Sequence, residues 1–272
     1  MSMRDRLAAI RYRLKRMLRW LHDLLFVPVC RCCGKRQSIF VSTPILPLCQ
    51  GCLAQWGEQT KKLCDTCALP YTKCRCMPKR LSKGGARALV KLAVYRRDCA
   101  GVVSSLVLRA KDVNDRDVFR FLASELLMPT FTALRECGID PKDAVITYAP
   151  RGRKAYHRTG HDQARQLSRY LAKRLGCAHM RTVRRRRGGE QQKDLSVASR
   201  VKNAAGSFYL GRGVRVRDRA VVLIDDICTS GATQASCSDL LYGAGASDVL
   251  CVCLAQTQGG ALVRPATPGP EA

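Results

Sequence analysis

Acidic side chains are scarce in this 272-residue chain: 21 Asp and Glu stand against 48 Lys and Arg, a formal net charge of +27. That excess goes well beyond what solubility requires and argues for a phosphate-dense partner, nucleic acid included. Aromatics make up only 6% of the residues, and none interleaves in sequence with the run Arg184, Arg185, Arg186 and Arg187. Single-strand binders ordinarily add stacking platforms to a basic groove. The run is therefore read as nonspecific phosphate contact, to single-stranded DNA for example, rather than base reading. No apolar stretch approaches the roughly 20 residues of a membrane span. The leading segment lacks the continuous apolar region of a secretory signal, being broken by Arg4, Arg6, Arg11, Arg13, Lys15, Arg16 and Arg19. A cytoplasmic chain is expected, in which the 16 cysteines are not disulfides. Also missing are the Gly-Lys-Ser/Thr ending of a Walker loop and the GxGxxG of dinucleotide folds. His157 and His161 flank no cysteine or serine in a catalytic pattern, which leaves both as loop and helix-start residues.

What is present is concentrated in residues 221–233, VVLIDDICTSGAT. An apolar run of four predicts a buried parallel strand, and ligands of open α/β sheets sit beyond the carboxyl ends of such strands. Asp225 and Asp226 fall at that end. Thr229, Ser230, Gly231, Ala232 and Thr233 then open a helix, where freed amides and the helix dipole favour a phosphate. Carboxylates repel a phosphate, so Asp225 and Asp226 must face other groups of the same ligand: ribose hydroxyls, or Mg2+ bound to them. The spacing describes a ribose 5-phosphate cradle.

Cysteines crowd a second region. Cys30-x-x-Cys33, followed by Gly34, has the form of a zinc knuckle, and Cys49-x-x-Cys52 is its partner. Cys64-x-x-Cys67 with Cys74 and Cys76 supplies a second set, with Cys32 spare. Four protein ligands per site leave no open position for water, so the zinc is structural; an iron–sulfur cluster is the chemical alternative. Cys99, Cys137, Cys177, Cys228, Cys237, Cys251 and Cys253 lie in apolar or helical contexts and read as small core residues.

The chain divides into four segments. Residues 1–28 form a basic amphipathic helix whose stripe is Leu7, Ile10, Leu14, Met17, Leu18, Leu21 and Leu25. Such a helix can lie on a membrane or on DNA, but packing on the protein's own domains is the simpler reading. Residues 29–80 form the zinc module, and PKRLSKGG at 78–85 marks a boundary. Residues 85–257 form the α/β domain, with strands at 88–95, 144–148, 221–224 and 248–254 and helices at 99–110, 117–134, 165–175 and 230–242. The Gly-, Pro- and Ala-rich tail, 258–272, is expected to be disordered.

The DDxxTSGAT pattern resembles the phosphoribosyl pyrophosphate (PRPP) motif of type I phosphoribosyltransferases. Gly160-His161-Asp162-Gln163-Ala164, the spacing of Gln192, Leu195, Arg200 and Asn203, and the paired cysteines narrow the resemblance to the ComF family. It implies a type I phosphoribosyltransferase-like parallel sheet flanked by helices, carrying a small amino-terminal zinc-ribbon module. It also implies that Asp225 and Asp226 meet the ribose and serve any catalysis, that 229–233 wraps the 5-phosphate, and that Arg151 and Gly152 stand where a loop holds pyrophosphate with Mg2+. Arg184 to Arg187 would then belong to the loop that closes over PRPP. Arg109 replaces the lysine usual in the family's preceding helix, with Lys111 nearby, and His161 replaces an aromatic residue. Cys74-x-Cys76 departs from the family's Cys-x-x-Cys. Three functions remain open: PRPP binding linked to DNA uptake or nucleotide metabolism, base transfer to an unidentified acceptor, and non-catalytic single-stranded DNA binding. A partner in the DNA-uptake machinery would bring the chain to the membrane.

Overall fold

A computed structural model of the chain describes residues 27–37, 46–95, 101–186, 206–257 and 261–265, together with Leu14, Met17, Leu18 and Leu21. Its elements are α1 Gln50–Thr60, β1 Met77–Pro78, α2 Lys79–Lys83, β2 Ala88–Val90, β3 Ala93–Tyr95, α3 Val102–Asp112, α4 Arg116–Glu136 and β4 Val145–Tyr148. Then come α5 Arg153–Thr159, α6 Gln163–Leu175, β5 Ala178–His179, β6 Val183–Arg185, β7 Phe208–Leu210, β8 Ala220–Ile224 and β9 Ile227–Cys228. The chain closes with α7 Ala232–Gly243, β10 Asp248–Val252, β11 Ala255–Thr257 and β12 Leu262–Val263. Two compact units divide within α1, residues 1–55 and 56–272.

The first unit contains the first cysteine knuckle. Val29 bridges Arg36, and the Cys30 N–H donates to the Lys35 carbonyl at 2.8 Å. Gly34 sits in the left-handed region at φ 73°. Of the amino-terminal stripe, Leu14, Met17, Leu18 and Leu21 are helical and exposed; its remaining positions lie outside the described residues.

The second unit repeats that knuckle. Leu63 bridges Pro70, Cys64 N–H donates to the Leu69 carbonyl at 2.9 Å, and Ala68 takes the place of Gly34 at φ 54°. An L-residue there crowds its own carbonyl by about 1–2 kcal/mol. Ala68→Gly is therefore expected to stabilise the protein by up to about 1 kcal/mol, once the entropy of the added glycine is counted. Thermal denaturation reads the shift.

Its centre is a five-stranded, wholly parallel sheet in the order β2-β10-β8-β4-β5. The apolar runs explain it: all five residues of β8 and all four of β4 are buried, as a strand covered on both faces requires. Helices flank it. α4 starts where the Asp115 carboxylate accepts the N–H groups of Asp117 and Val118, and α6 starts where Asp162 accepts that of Arg165. α6 turns Leu167, Leu171 and Leu175 inward and ends at Gly176, φ 73°.

The expected strand at 88–95 is two strands, and the one at 248–254 stops at Val252, with a separate strand starting at Ala255. Past their carboxyl ends, β2, β10 and β8 continue as β3, β11 and β9, which form a second parallel sheet in the matching order β3-β11-β9. The interruption falls level on all three. The Cys253 N–H donates to the Val90 carbonyl at 2.9 Å and the Asp225 N–H to the Val252 carbonyl at 2.9 Å. Lys91, Cys253 and Asp225 thus stand in one row across the sheet, at a break that no local apolar pattern announces.

Two further differences arise from β1. It pairs antiparallel with β12, Met77 opposite Val263 and Pro78 opposite Leu262, so the apolar Leu262–Val263 gives the expected disordered tail an ordered segment. The same region joins Cys64, Cys67, Cys74 and Cys76 to the sheet-bearing unit, whereas residues 29–80 read as one module in the sequence. Cys228, Cys237, Cys251 and Cys253 are buried in the core, as expected; Cys137 and Cys177 are half-buried.

Candidate functional site

The site begins where β8 stops. Asp225 Oδ1 accepts the Asp226 N–H at 2.9 Å, and Asp226 Oδ1 accepts the Ile227 N–H at 2.7 Å. Asp226 Oδ2 accepts from Gln163 Nε2 at 2.6 Å. Gln163 opens α6 and is buried, so the sheet and that helix meet at the acidic pair. This residue lies in the GHDQA stretch, where no local signal marks it as a site residue. Its partner is 63 positions away, and only topology brings them together.

Asp162 ties in the loop after β4. Its Oδ2 accepts the Arg151 N–H at 2.9 Å and its Oδ1 the Arg165 N–H at 3.1 Å. Arg151 Nη1 donates to the Lys111 carbonyl at 2.9 Å and to Thr159 Oγ1 at 3.0 Å. Arg151 Nη2 and Gln163 Oε1 are buried without a hydrogen-bond partner. Arg151 is thus held in place with one amino group uncommitted. Burial, reinforced by the charge of Asp226, pushes the Asp225 carboxyl well above the usual carboxylate range. Burial also raises Asp162, against the hydrogen bonds from Arg151 and Arg165.

The loop ends at α7, whose N-cap is Gly231 at φ 72°, with no side chain capping the first amides. Those amides stand free for an anion. A Cβ on Gly231 would lie 2.9 Å from Leu81 Cβ, so the glycine answers both to its backbone conformation and to contact with α2. Thr229 is exposed; Ser230 and Thr233 are half-buried, and Ala232 is buried.

Two of the four arginines in the run, Arg184 and Arg185, lie in a strand. Val183–Arg185 is a strand paired antiparallel with Phe208–Leu210, Arg184 opposite Tyr209 and Arg185 opposite Phe208. Strand alternation then splits the run. Arg185 is half-buried, 5.3 Å from the Phe208 ring centre, with its guanidinium beside Gly152. Arg184 and Arg186 are exposed, and Arg186 lies 5.7 Å from the ring centre of exposed Tyr209. Aromatics therefore do accompany these arginines, from a strand more than 20 residues away. Arg187, Gln192, Leu195, Arg200 and Asn203 lie outside the described residues.

Two cations expected near phosphate are otherwise engaged or unassigned. Arg109 Nε pairs with Asp115 Oδ2 at 3.2 Å, while Lys111 contributes its carbonyl to Arg151. His161 is buried, with Nδ1 3.0 Å from the Thr159 carbonyl and Nε2 2.9 Å from that of Ala110. It holds the turn before α6, in keeping with a helix-start residue.

Both cysteine quartets come together. The Sγ atoms of Cys30, Cys33, Cys49 and Cys52 lie within 4.8 Å of one another, and so do those of Cys64, Cys67, Cys74 and Cys76. Either set could hold a metal ion. Cys33 and Cys49 Sγ are 3.7 Å apart, close to the ~3.8 Å edge of a tetrahedron with 2.3 Å Zn–S arms. The unusual Cys-x-Cys closes because the Cys76 N–H donates to Cys74 Sγ at 3.3 Å. Burial opposes ionisation of the leading thiol in each quartet, yet surrounding N–H groups and neighbouring thiols bring Cys30 down to about 6 and Cys64 to about 7. No helix among the described residues is long and apolar enough to cross a membrane.

A parallel sheet with an acidic pair at the end of a central strand, followed by an uncapped helix start, defines a type I phosphoribosyltransferase-like α/β protein with an amino-terminal cysteine-cluster region. No protein-family model matches the chain. It is 30% identical over 220 residues to the DNA utilization protein YhgH of Salmonella typhimurium, covering 75% of this chain and 92% of that protein. The figures for the Shigella flexneri protein of the same name are 30% over 220 residues, 75% and 92%. The chain belongs to the family of the DNA utilization protein YhgH. Among solved structures, a hypoxanthine phosphoribosyltransferase from Staphylococcus aureus aligns over 61% of this chain and 77% of its own, at 16% identity and TM-score 0.35. An adenine phosphoribosyltransferase from Leishmania tarentolae aligns over 62% and 91%, at 12% identity and TM-score 0.33. Overlaps at those scores say nothing about activity or ligand.

Proposed function

We propose that this chain is a ComF-like protein that binds PRPP or a related phosphoribosyl ligand and serves DNA uptake or nucleotide metabolism. The observation that carries the reading is the acidic pair Asp225 and Asp226 beside the uncapped amides of α7. The carboxylates suit ribose hydroxyls, and residues Thr229, Ser230, Gly231, Ala232 and Thr233 suit the 5-phosphate. Arg151 and Gly152, with Arg185 beside them, suit the pyrophosphate end. Mg2+ bound with PRPP would neutralise part of the pyrophosphate charge. Zinc fits both quartets and would hold their loops folded.

Whether the ligand reacts is a separate question, tested by following pyrophosphate release from PRPP and Mg2+ across a panel of nucleobases. Release with one base establishes a phosphoribosyltransferase. PRPP binding without release establishes a binding protein instead. The half-buried Asp225 would stabilise oxocarbenium character in such a transfer only in its ionised form.

A second reading, single-stranded DNA binding, is favoured by the β6–β7 ribbon, where exposed Tyr209 stands between Arg184 and Arg186. Stacking is worth about 1–3 kcal/mol per base. Tyr209→Ala is therefore expected to weaken oligonucleotide binding at least about fivefold, and the Arg184→Ala/Arg186→Ala pair to flatten its salt dependence. A gel shift across a salt series measures both. Binding unaltered by all three substitutions contradicts this reading. Attachment to DNA-uptake machinery at the membrane belongs to the same proposal.

A further inference from the structure

Lys91 is fully buried, and among the described residues no carboxylate pairs with it. Its Nζ donates to the Cys76 carbonyl. Charged groups seldom enter a protein interior without an opposite charge, because a carbonyl alone does not replace the lost hydration. Its positive charge is also felt by the thiols of Cys74, Cys228 and Cys253. Asp225, in the same row of the sheet, stands two strands away across β10.

The two quartets differ in what they need. In the first, Cys33 is exposed and Cys49 half-exposed, so water screens the site. In the second, Cys64, Cys74 and Cys76 are buried and only Cys67 is partly open. Four thiolates around one divalent ion carry a formal net charge of about −2, which an interior must offset or expel. Lys91 supplies a positive charge at the more deeply buried quartet.

We propose that Lys91 is the internal counter-cation of the Cys64, Cys67, Cys74 and Cys76 metal site, positioned by the sheet break to keep that site loaded. This rests on the reading of the quartets as metal sites. Lys91 acts on the ligands and through the Cys76 carbonyl and is itself no ligand, a role in which outer partners of metal sites commonly change affinity about 10–100-fold.

The test uses the full chain purified with zinc, its metal content measured by mass spectrometry and its release to a chelator followed in time. Wild type is expected to hold two zincs, and Cys74→Ser identifies the share held by the second quartet. A single zinc in wild type, unchanged in Cys74→Ser, overturns the metal reading itself. Lys91→Met is expected to speed release from the second quartet about tenfold or more, leaving the first unchanged, and Lys91→Arg to restore slow release. Release from Lys91→Met at the wild-type rate overturns the proposal. So does loss of both zincs together, which marks a general folding role, or a Lys91→Arg variant as leaky as Lys91→Met, which marks packing rather than charge.

Discussion

Replacing Asp226 with Asn is expected to weaken PRPP binding by about two orders of magnitude. Both Asp226 oxygens already accept N–H groups, from Ile227 at 2.7 Å and Gln163 at 2.6 Å. An amide of the same size has only one acceptor oxygen, so either way round its NH2 faces a donor. That mismatch loosens the site itself, while the ribose loses a charged hydrogen bond worth about 1.5–3 kcal/mol. Asp225→Asn separates binding from stability. Asp225 holds its proton more tightly in the folded chain than in the unfolded one. Wild-type stability is therefore expected to fall as pH rises from about 3.9, the unfolded carboxyl's value, toward the raised folded value. Asp225→Asn removes that loss: it should melt a few degrees higher than wild type at pH 7, with the gap closing below pH 4, while binding PRPP more weakly. Calorimetric melting between pH 3 and 8 shows both trends.

Cys74→Ser is expected to lower the main melting transition by on the order of 10 °C, and Cys33→Ser to leave it nearly unchanged. The reason lies in the division of the chain. Cys74 is fully buried in the sheet-bearing unit, whose β1 and Lys91 adjoin it; Cys33 is exposed in the other unit. Metal binding to structural zinc sites is worth about 10–16 kcal/mol in isolated fingers. A fraction of that, at about 2–4 °C per kcal/mol for a chain of this size, gives the expected drop. Differential scanning calorimetry of the two variants, with zinc content measured in parallel, decides it. Equal effects would mean that both quartets stabilise the same cooperative body.

Elements whose signal is local were legible in the sequence. Residues 221–224 announce β8 by apolar character, the helices at 117–134 and 165–175 lie within α4 and α6, and Cys30-x-x-Cys33-Gly34 announces a tight turn. Features made by long-range pairing were hidden. The break that splits 88–95 is shared with the paired strands β10 and β11, and Lys91 at that break reads in sequence only as one charge in an apolar run. Gln163 reaches Asp226, and Tyr209 reaches the arginine strand, only when distant segments fold together. Which way Arg184 and Arg185 face was hidden for a simpler reason: composition reports charge but not the two faces of a strand. Leu262–Val263 was lost in a tail whose glycines and prolines outweighed two apolar residues.

The central claim is that the acidic pair and the start of α7 form one phosphoribosyl site. Isothermal titration of PRPP with Mg2+ into the zinc-loaded chain, beside the Asp226→Asn variant, tests it most directly. The expected result is saturable one-to-one binding by wild type that falls about a hundredfold in the variant. Absence of binding by folded, zinc-loaded wild type, or equal affinity in the two proteins, would contradict it.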